Sequence, residues 1–401
     1  MNPRSFVLLL LMMVCNFYLS RPVAAQQEIT PYELGGQLNV VHVAVPFLTV
    51  APDSRSGAMG DAGIATQPDV YSMHWNPAKF AFIDNDMGAA FSYTPWLRNL
   101  IDDINLAHLT GYMRLDNYQV LAASLTYFSL GEIIFSNIYG EYDGQYTPNE
   151  FAIDAAYARL FSDNFSMGLA FRYIRSDLTG GAYVQGIASK AAQAFAADVS
   201  LFYLNDEIRV SDLPSQLGIG MNISNIGNKI TYSDNQNAQF IPINLGIGSS
   251  LKMNLDPYNS IMFALDMNKL LVPTPPVYEQ DMEDEFGNPV IRAGMPNDVS
   301  VARGMLQSFY DAPGGFREEL REIFYSAGVE YWYLEQFAIR GGYYHEHQTK
   351  GNRKYFTTGI GIKLNVFALD VAYLMPVHST NPLANTIRFS LAFDFDGLRR
   401  N

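Results

Sequence analysis

Ile387-Arg388-Phe389-Ser390-Leu391-Ala392-Phe393-Asp394-Phe395 alternates strictly between apolar residues and polar or small ones. A strand turns successive side chains to opposite faces, so this stretch reads as a strand between an apolar and a wet medium. The pattern recurs upstream. Ile153 and Tyr157 oppose Asp154, Leu169 and Phe171 oppose Arg172, and Val199 and Leu201 oppose Asp198. Phe263 and Leu265 oppose Asp266, Val329 and Tyr331 oppose Glu330, and Ile339 and Tyr343 oppose Arg340. Ile360 and Ile362 oppose Lys363, and Leu369 and Val371 oppose Asp370.

A soluble sandwich also alternates, with its apolar face inward. Three features favour a membrane barrel. The segments are about ten residues long, enough for a tilted strand to cross a bilayer. Aromatic residues gather near their ends, as interfacial girdles do: Tyr93, Trp96, Tyr112, Tyr173, Tyr203, Trp332 and Tyr333. Short turns, such as Ser162-Asp163-Asn164 and Leu255-Asp256-Pro257, alternate with long polar connections.

Counted with that rhythm, strands fall near 86–94, 105–114, 118–130, 150–161, 165–177, 191–204 and 216–224. Seven more follow near 241–253, 258–270, 323–334, 337–344, 355–364, 366–375 and 386–395. The fold class is therefore all-β: a 14-stranded antiparallel outer-membrane β-barrel over residues 86–401, with short turns on the periplasmic side. The connection 205–215 breaks the rhythm, being long for a periplasmic turn. The composition agrees. Of 401 residues 48% are hydrophobic, which excludes disorder, and 40 acids against 26 bases give a charge of −14. That balance excludes unaided nucleic-acid binding. Past the N-terminus no apolar run reaches the roughly 18 residues of a helical span.

Residues 1–25 read as a signal peptide: Arg4, an apolar run Phe6–Tyr18, and a small-residue site at Val23-Ala24-Ala25. Cys15, the only cysteine, lies inside it, and its loss leaves 24 bases against 40 acids, a charge of −16.

Fourteen strands enclose more space than an eight-strand barrel can fill. Residues 26–85 precede the first strand and are expected to plug the lumen. Candidate plug residues are Arg55, Gly57, Gly60, Asp61, Gly63, Asn76 and Pro77, the glycines permitting close backbone approach. The inward charges are near balance, which suits mutual pairing and pairing with Arg55 and Asp61 better than one-sign conduction. An Arg at outward Leu169 is expected to impair assembly, and one at inward Ser166 to be tolerated.

Ser54-Arg-Ser-Gly-Ala-Met-Gly-Asp61-Ala-Gly-Ile-Ala65 with Trp75-Asn-Pro-Ala78 resembles the PorV (LptO) family of type IX secretion outer-membrane proteins, within the FadL-like barrels. Asp311-Ala-Pro-Gly-Gly-Phe-Arg-Glu-Glu319, Lys350-Gly-Asn-Arg-Lys-Tyr-Phe356 and Pro382-Leu-Ala-Asn-Thr-Ile-Arg388 resemble it further. The resemblance covers essentially the mature chain. It implies a carrier that takes folded cargo, by a C-terminal signal domain, from a SprA/Sov-like translocon barrel to a PorU/PorQ/PorZ-like attachment complex. Outer-membrane lipid and lipopolysaccharide are the other partners implied, and no cofactor.

Little points to catalysis. His345-Glu346-His347 offers two imidazoles, but no third ligand is suitably spaced, so no metal site is expected. Ser379 beside His378 suggests a lipopolysaccharide O-deacylase only if a base and an acid converge on it. The connection 271–322 is more informative, since loops of such length are usually functional. Asp298 is placed to cap a helix bearing Val301, Met305 and Phe309 on one stripe, with Tyr310 beside them; Pro313-Gly314-Gly315 ends it, and Phe316 opens a second turn. The stripe either lids the barrel mouth or docks a partner. Secretion carrier is the first reading. A FadL-type channel for hydrophobic molecules and the deacylase are the alternatives.

Overall fold

The computed structural model describes residues 38–96, 103–136, 142–181, 183–184, 187–233, 238–283, 285, 289–377 and 386–395. Residues 1–25, the start of the 26–85 segment, His378 and Ser379 lie outside them. Residues 40–401 form one compact unit.

Fourteen antiparallel strands close into a barrel. They are β1 Met87–Pro95, β2 Ile104–Arg114, β3 Gln119–Leu130, β4 Asn149–Ser162, β5 Phe165–Asp177, β6 Ala192–Val210 and β7 Leu213–Gly227. The second half comprises β8 Asn244–Asn254, β9 Asn259–Leu270, β10 Phe324–Tyr333, β11 Phe337–His345, β12 Lys354–Lys363, β13 Phe367–Pro376 and β14 Ile387–Asp394. Each pairs with its sequence neighbour, and β1 meets β14 from Gly88↔Asp394 to Tyr93↔Phe389 to shut the cylinder. Closure leaves no edge strand, which an apolar medium requires.

The alternation sorts as the sequence indicates. Leu169, Phe171, Phe195, Ile339 and Ile360 stand exposed on the outer face, as residues solvated by lipid chains do. Asp154, Arg172, Asp198, Asp266, Glu330, Arg340, Asp370 and Arg388 are buried on the inner face. Lys363, on the same face, is exposed at the periplasmic mouth.

Four expectations change. The 205–215 connection is a two-residue turn, Ser211-Asp212, both left-handed, between Val210 and Leu213. Such a turn matches strand twist. Its strands run past the membrane into water, where Asn205-Asp206-Glu207 need not alternate. Tyr112 and Trp332 point inward, Tyr112 onto Phe80 and Trp332 under the Arg340 guanidinium, while Trp96 packs on the outer core cluster, a buried apolar group that includes Phe47, Leu106, Phe128, Ile174, Ile241 and Leu271. The girdle thus rests on the outward Tyr93, Tyr173, Tyr203 and Tyr333. Long connections carry small hairpins of their own, such as Ile133–Ser136 with Tyr142–Tyr146. Finally, Ser166 does not face open lumen, because its hydroxyl donates to Ala78 O at 2.7 Å under a covering segment. An Arg there has no room.

Candidate functional site

Residues 44–83 lie against the inward faces of strands around the whole circumference. Val70 O accepts from Thr110 on β2, Ser200 on β6 accepts from Ala78 N, and Trp75 O accepts from Asn222 on β7. Ala65 O accepts from Ser250 on β8, the backbone N–H groups of Gly63 and Ile64 converge on Asp266 on β9, and Gly60 N donates to Thr357 on β12. Ser54 N donates to Ser390 on β14. A segment that touches β2 through β14 of a closed cylinder is inside it.

Local chemistry fixes its path. Asp53 accepts from Ser56 N at the start of α1 (Ser54–Gly57) and from Trp75 Nε1 at 2.7 Å. Burial pushes the Asp53 carboxyl up to about 6, with Asp69 adding to the rise. Gly60 is left-handed, and a Cβ there would meet the Tyr343 backbone at 2.6 Å. Asp61 accepts from Arg388 at 2.8 Å and from Tyr355 at 2.5 Å. After α2 (Ser72–Trp75), Asn76 caps the 3₁₀ turn Pro77–Phe82 by accepting from Ala78 N. Its amide also donates to Ile64 O and Leu201 O. The Asn76-Pro77 pair therefore ties the segment both to itself and to the wall.

Charge is satisfied in forks. Arg55 Nε and Nη2 grip the two Glu330 oxygens at 3.0 and 2.8 Å, while Nη1 reaches Asp69 at 2.7 Å. Burial works against the Arg55 charge, but Glu330 and Asp69 outweigh it and hold the guanidinium protonated. Arg340 donates to Glu330 and Asp370, each at 2.6 Å. Lys79 donates to Gly63 O at 2.7 Å, and its burial lowers it to about 8.

Two cavities flank the segment. The outer, about 310 Å³, meets Asp61, Ile64 and Trp75; the periplasmic, about 610 Å³, meets Arg55, Asp69 and Tyr71.

The long connection holds α3 (Val301–Gln307) and α4 (Phe316–Arg321). The expected stripe divides. Val301 and Met305 pack on the outer core cluster, whereas Phe309 lies beyond the end of α3 and is exposed with Tyr310 and Phe316. Leu306 and Leu320, at 69% and 48% exposure, extend that crest into water. Asp298 caps nothing; it pairs with Lys229 at 2.9 Å, and Ser300 sits at the N-cap without a side-chain bond. Sequence spacing cannot foresee a helix that stops after two turns.

The root of the connection is fastened by lysines. Lys269 donates to Glu319 at 3.0 Å and Glu322 at 2.6 Å; Lys350 donates to Glu318 at 2.6 Å and Glu322 at 2.9 Å. Asp311 accepts from Thr274 N and Gln307, and its Oδ1 has no partner among the described residues. Burial pushes Asp311 up to about 6, and Glu319 and Glu322 add to it. In His345-Glu346-His347, Glu346 is clamped by Arg353 and the His347 imidazole meets Thr349 Oγ1, and no group of three His, Cys, Asp or Glu side chains gathers to hold a metal ion among the described residues.

These features define a class: an outer-membrane β-barrel whose lumen is occupied by its own chain. A family model, type IX secretion system protein PorV, matches residues 35–277, more than half the sequence, and the chain belongs to that family. It is an outer-membrane protein of a secretion system. No curated protein matches it. Among solved structures it is similar to the Pseudomonas putida toluene transporter TodX at 10% identity, covering 89% of this chain and 99% of that one, TM-score 0.47. The Ralstonia pickettii toluene transporter TbuX has 10% identity over 86% and 97%, TM-score 0.45. A Pseudomonas aeruginosa FadL homologue has 12% identity over 89% and 99%, TM-score 0.43. At such scores a likeness bears on neither ligand nor mechanism.

Proposed function

We propose that this barrel is a carrier and not a conduit: it receives exported cargo, by its C-terminal signal domain, at a SprA/Sov-like translocon and passes it to a PorU/PorQ/PorZ-like attachment complex. The observation that carries this reading is the crest of Leu306, Phe309, Tyr310, Phe316 and Leu320, held in water beyond the membrane on a root of buried ion pairs. Exposed apolar groups on a rigid base suit protein docking, where aromatic anchors dominate the energy. The occupied lumen counts against passage of solutes, since conduction would require the contacts from Ser54 to Ala78 to break. Phe309→Ser/Phe316→Ser is the test, measured as cargo display at the cell surface beside barrel heat-modifiability. Loss of display from a folded barrel supports docking. Normal display from the double variant overturns it.

A further inference from the structure

The outer cavity is lined by residues that carry hydrogen-bonding atoms without partners among the described residues. Asn222 on β7, Asn244 on β8 and Ser326 on β10 line it, and Asn222 Oδ1, Asn244 Oδ1 and Ser326 Oγ are buried and bond to nothing among the described residues. Asn222 and Ser326 are 4% and 1% exposed. The His74 imidazole also borders the cavity; it meets the Trp75 ring edge-on and makes no hydrogen bond among the described residues. Burial keeps it neutral, so it both donates and accepts. Buried polar atoms are almost always bonded, and several orphans around one space call for an occupant.

The register builds the site. Gly246 pairs with Asn222 on one side and with Asn268 on the other, placing an amide, a glycine and an amide in a row across three strands. A Cβ at Gly246 would meet Ile64 Cδ1 at 2.5 Å and Asn268 Oδ1 at 2.8 Å, so glycine makes room between the amides for Ile64 of the inner segment. Trp75 forms the floor, its indole N–H pinned to Asp53.

The cavity's ions are spoken for. Arg172 pairs with Asp154 and Asp198, Lys350 with Glu318 and Glu322, and Arg353 with Glu346. A charged ligand would find no counter-charge. About 310 Å³ lies at the small end of ligand pockets, where an aromatic surface and a few convergent polar groups set specificity. We infer that the outer cavity binds a neutral saccharide of one or two residues, its hydroxyls meeting Asn222, Asn244, Ser326 and His74 and its C–H face lying on Trp75. Hydroxyls donate and accept, as these orphans require. A peptide terminus would bring a charge, and a through-running peptide would meet the floor.

The test uses the full chain purified in an amine-oxide detergent, since glycoside detergents would occupy the site. Probes are glucose, N-acetylglucosamine, maltose and cellobiose as free sugars, octyl glucoside as a lipid-linked one, and N-acetyl-triglycine amide as the peptide. Saturation-transfer NMR should show contact with at least one glycoside. Ser326→Val and Asn244→Leu, both checked for heat-modifiability, should each weaken it about tenfold, the loss of one hydrogen bond. A free sugar competing away octyl glucoside places a soluble ligand in the site. Octyl glucoside alone binding places a lipid headgroup there. Transfer equal in both variants, transfer to the peptide alone, or none at all, as for a cavity holding only water, overturns the assignment.

Discussion

Two acid-rich clusters hold this molecule together, and they are built differently. In the lumen Arg55 and Arg340 bridge Glu330, Asp69 and Asp370 through guanidinium forks, and Glu330 accepts from both, twice at Oε2 and once at Oε1. At the loop root two lysines serve Glu318, Glu319 and Glu322, and Asp311 beside them has one oxygen without a partner among the described residues. A planar fork fixes direction as well as charge; an ammonium is a point charge on a flexible stem. The lumen cluster is thus a scaffold, and the root a fastening that can be released.

The sharpest way to break that contrast is Arg55→Met. It leaves Glu330 buried with half its partners, and losing one member of a buried pair costs about 3–5 kcal/mol. The heat-modifiable transition should fall strongly; an unchanged transition would put the segment's anchorage elsewhere. Lys269→Met should act locally. Losing charge-assisted bonds costs roughly 1.5–3 kcal/mol, read as faster limited proteolysis within 289–312 while the barrel transition holds. If both variants lower the barrel transition alike, the two clusters are one unit. The smallest effect concerns pH. Asp311 stands near 6 against 3.8 for an unburdened carboxyl, so closed root binds its proton more tightly than open chain. Its contribution to closure is full below about 4 and is lost as pH rises through 6. Protease resistance of the loop should therefore decline between about pH 4 and 6, and Asp311→Asn, fixed in the neutral form, should flatten that decline. A profile identical to the parent would assign the response to another group.

The wall was legible because lipid and lumen impose opposite chemistry on alternate residues, as at Leu169 beside Arg172. Where that constraint lapses, legibility lapses too. Asn205-Asp206-Glu207 continue a strand in water and resemble a loop. Tyr112 and Trp332 carry girdle chemistry at inward positions, and only strand parity tells them apart. Arg55, Asp61 and Asn76 stood out in a glycine-rich run, yet their partners lie far off in sequence. The loop crest misled for a local reason: α3 ends at Gln307, so Val301 and Met305 share no face with Phe309. The Asn222–Gly246–Asn268 row becomes visible only once hairpin register is known.

The seam between β1 and β14 sets an order of events in making the barrel. Ser390 on the last strand touches Ser92 on the first at 2.7 Å, and its hydroxyl also receives Ser54 N from the segment within. Those partners lie at opposite ends of the chain, and such distant contacts are the slowest to form. Neither can exist until residue 390 has been made. The inner segment must already be in place, or arrive with the final strand, when the wall shuts around it. A ring that closes over its own beginning cannot be loaded afterwards.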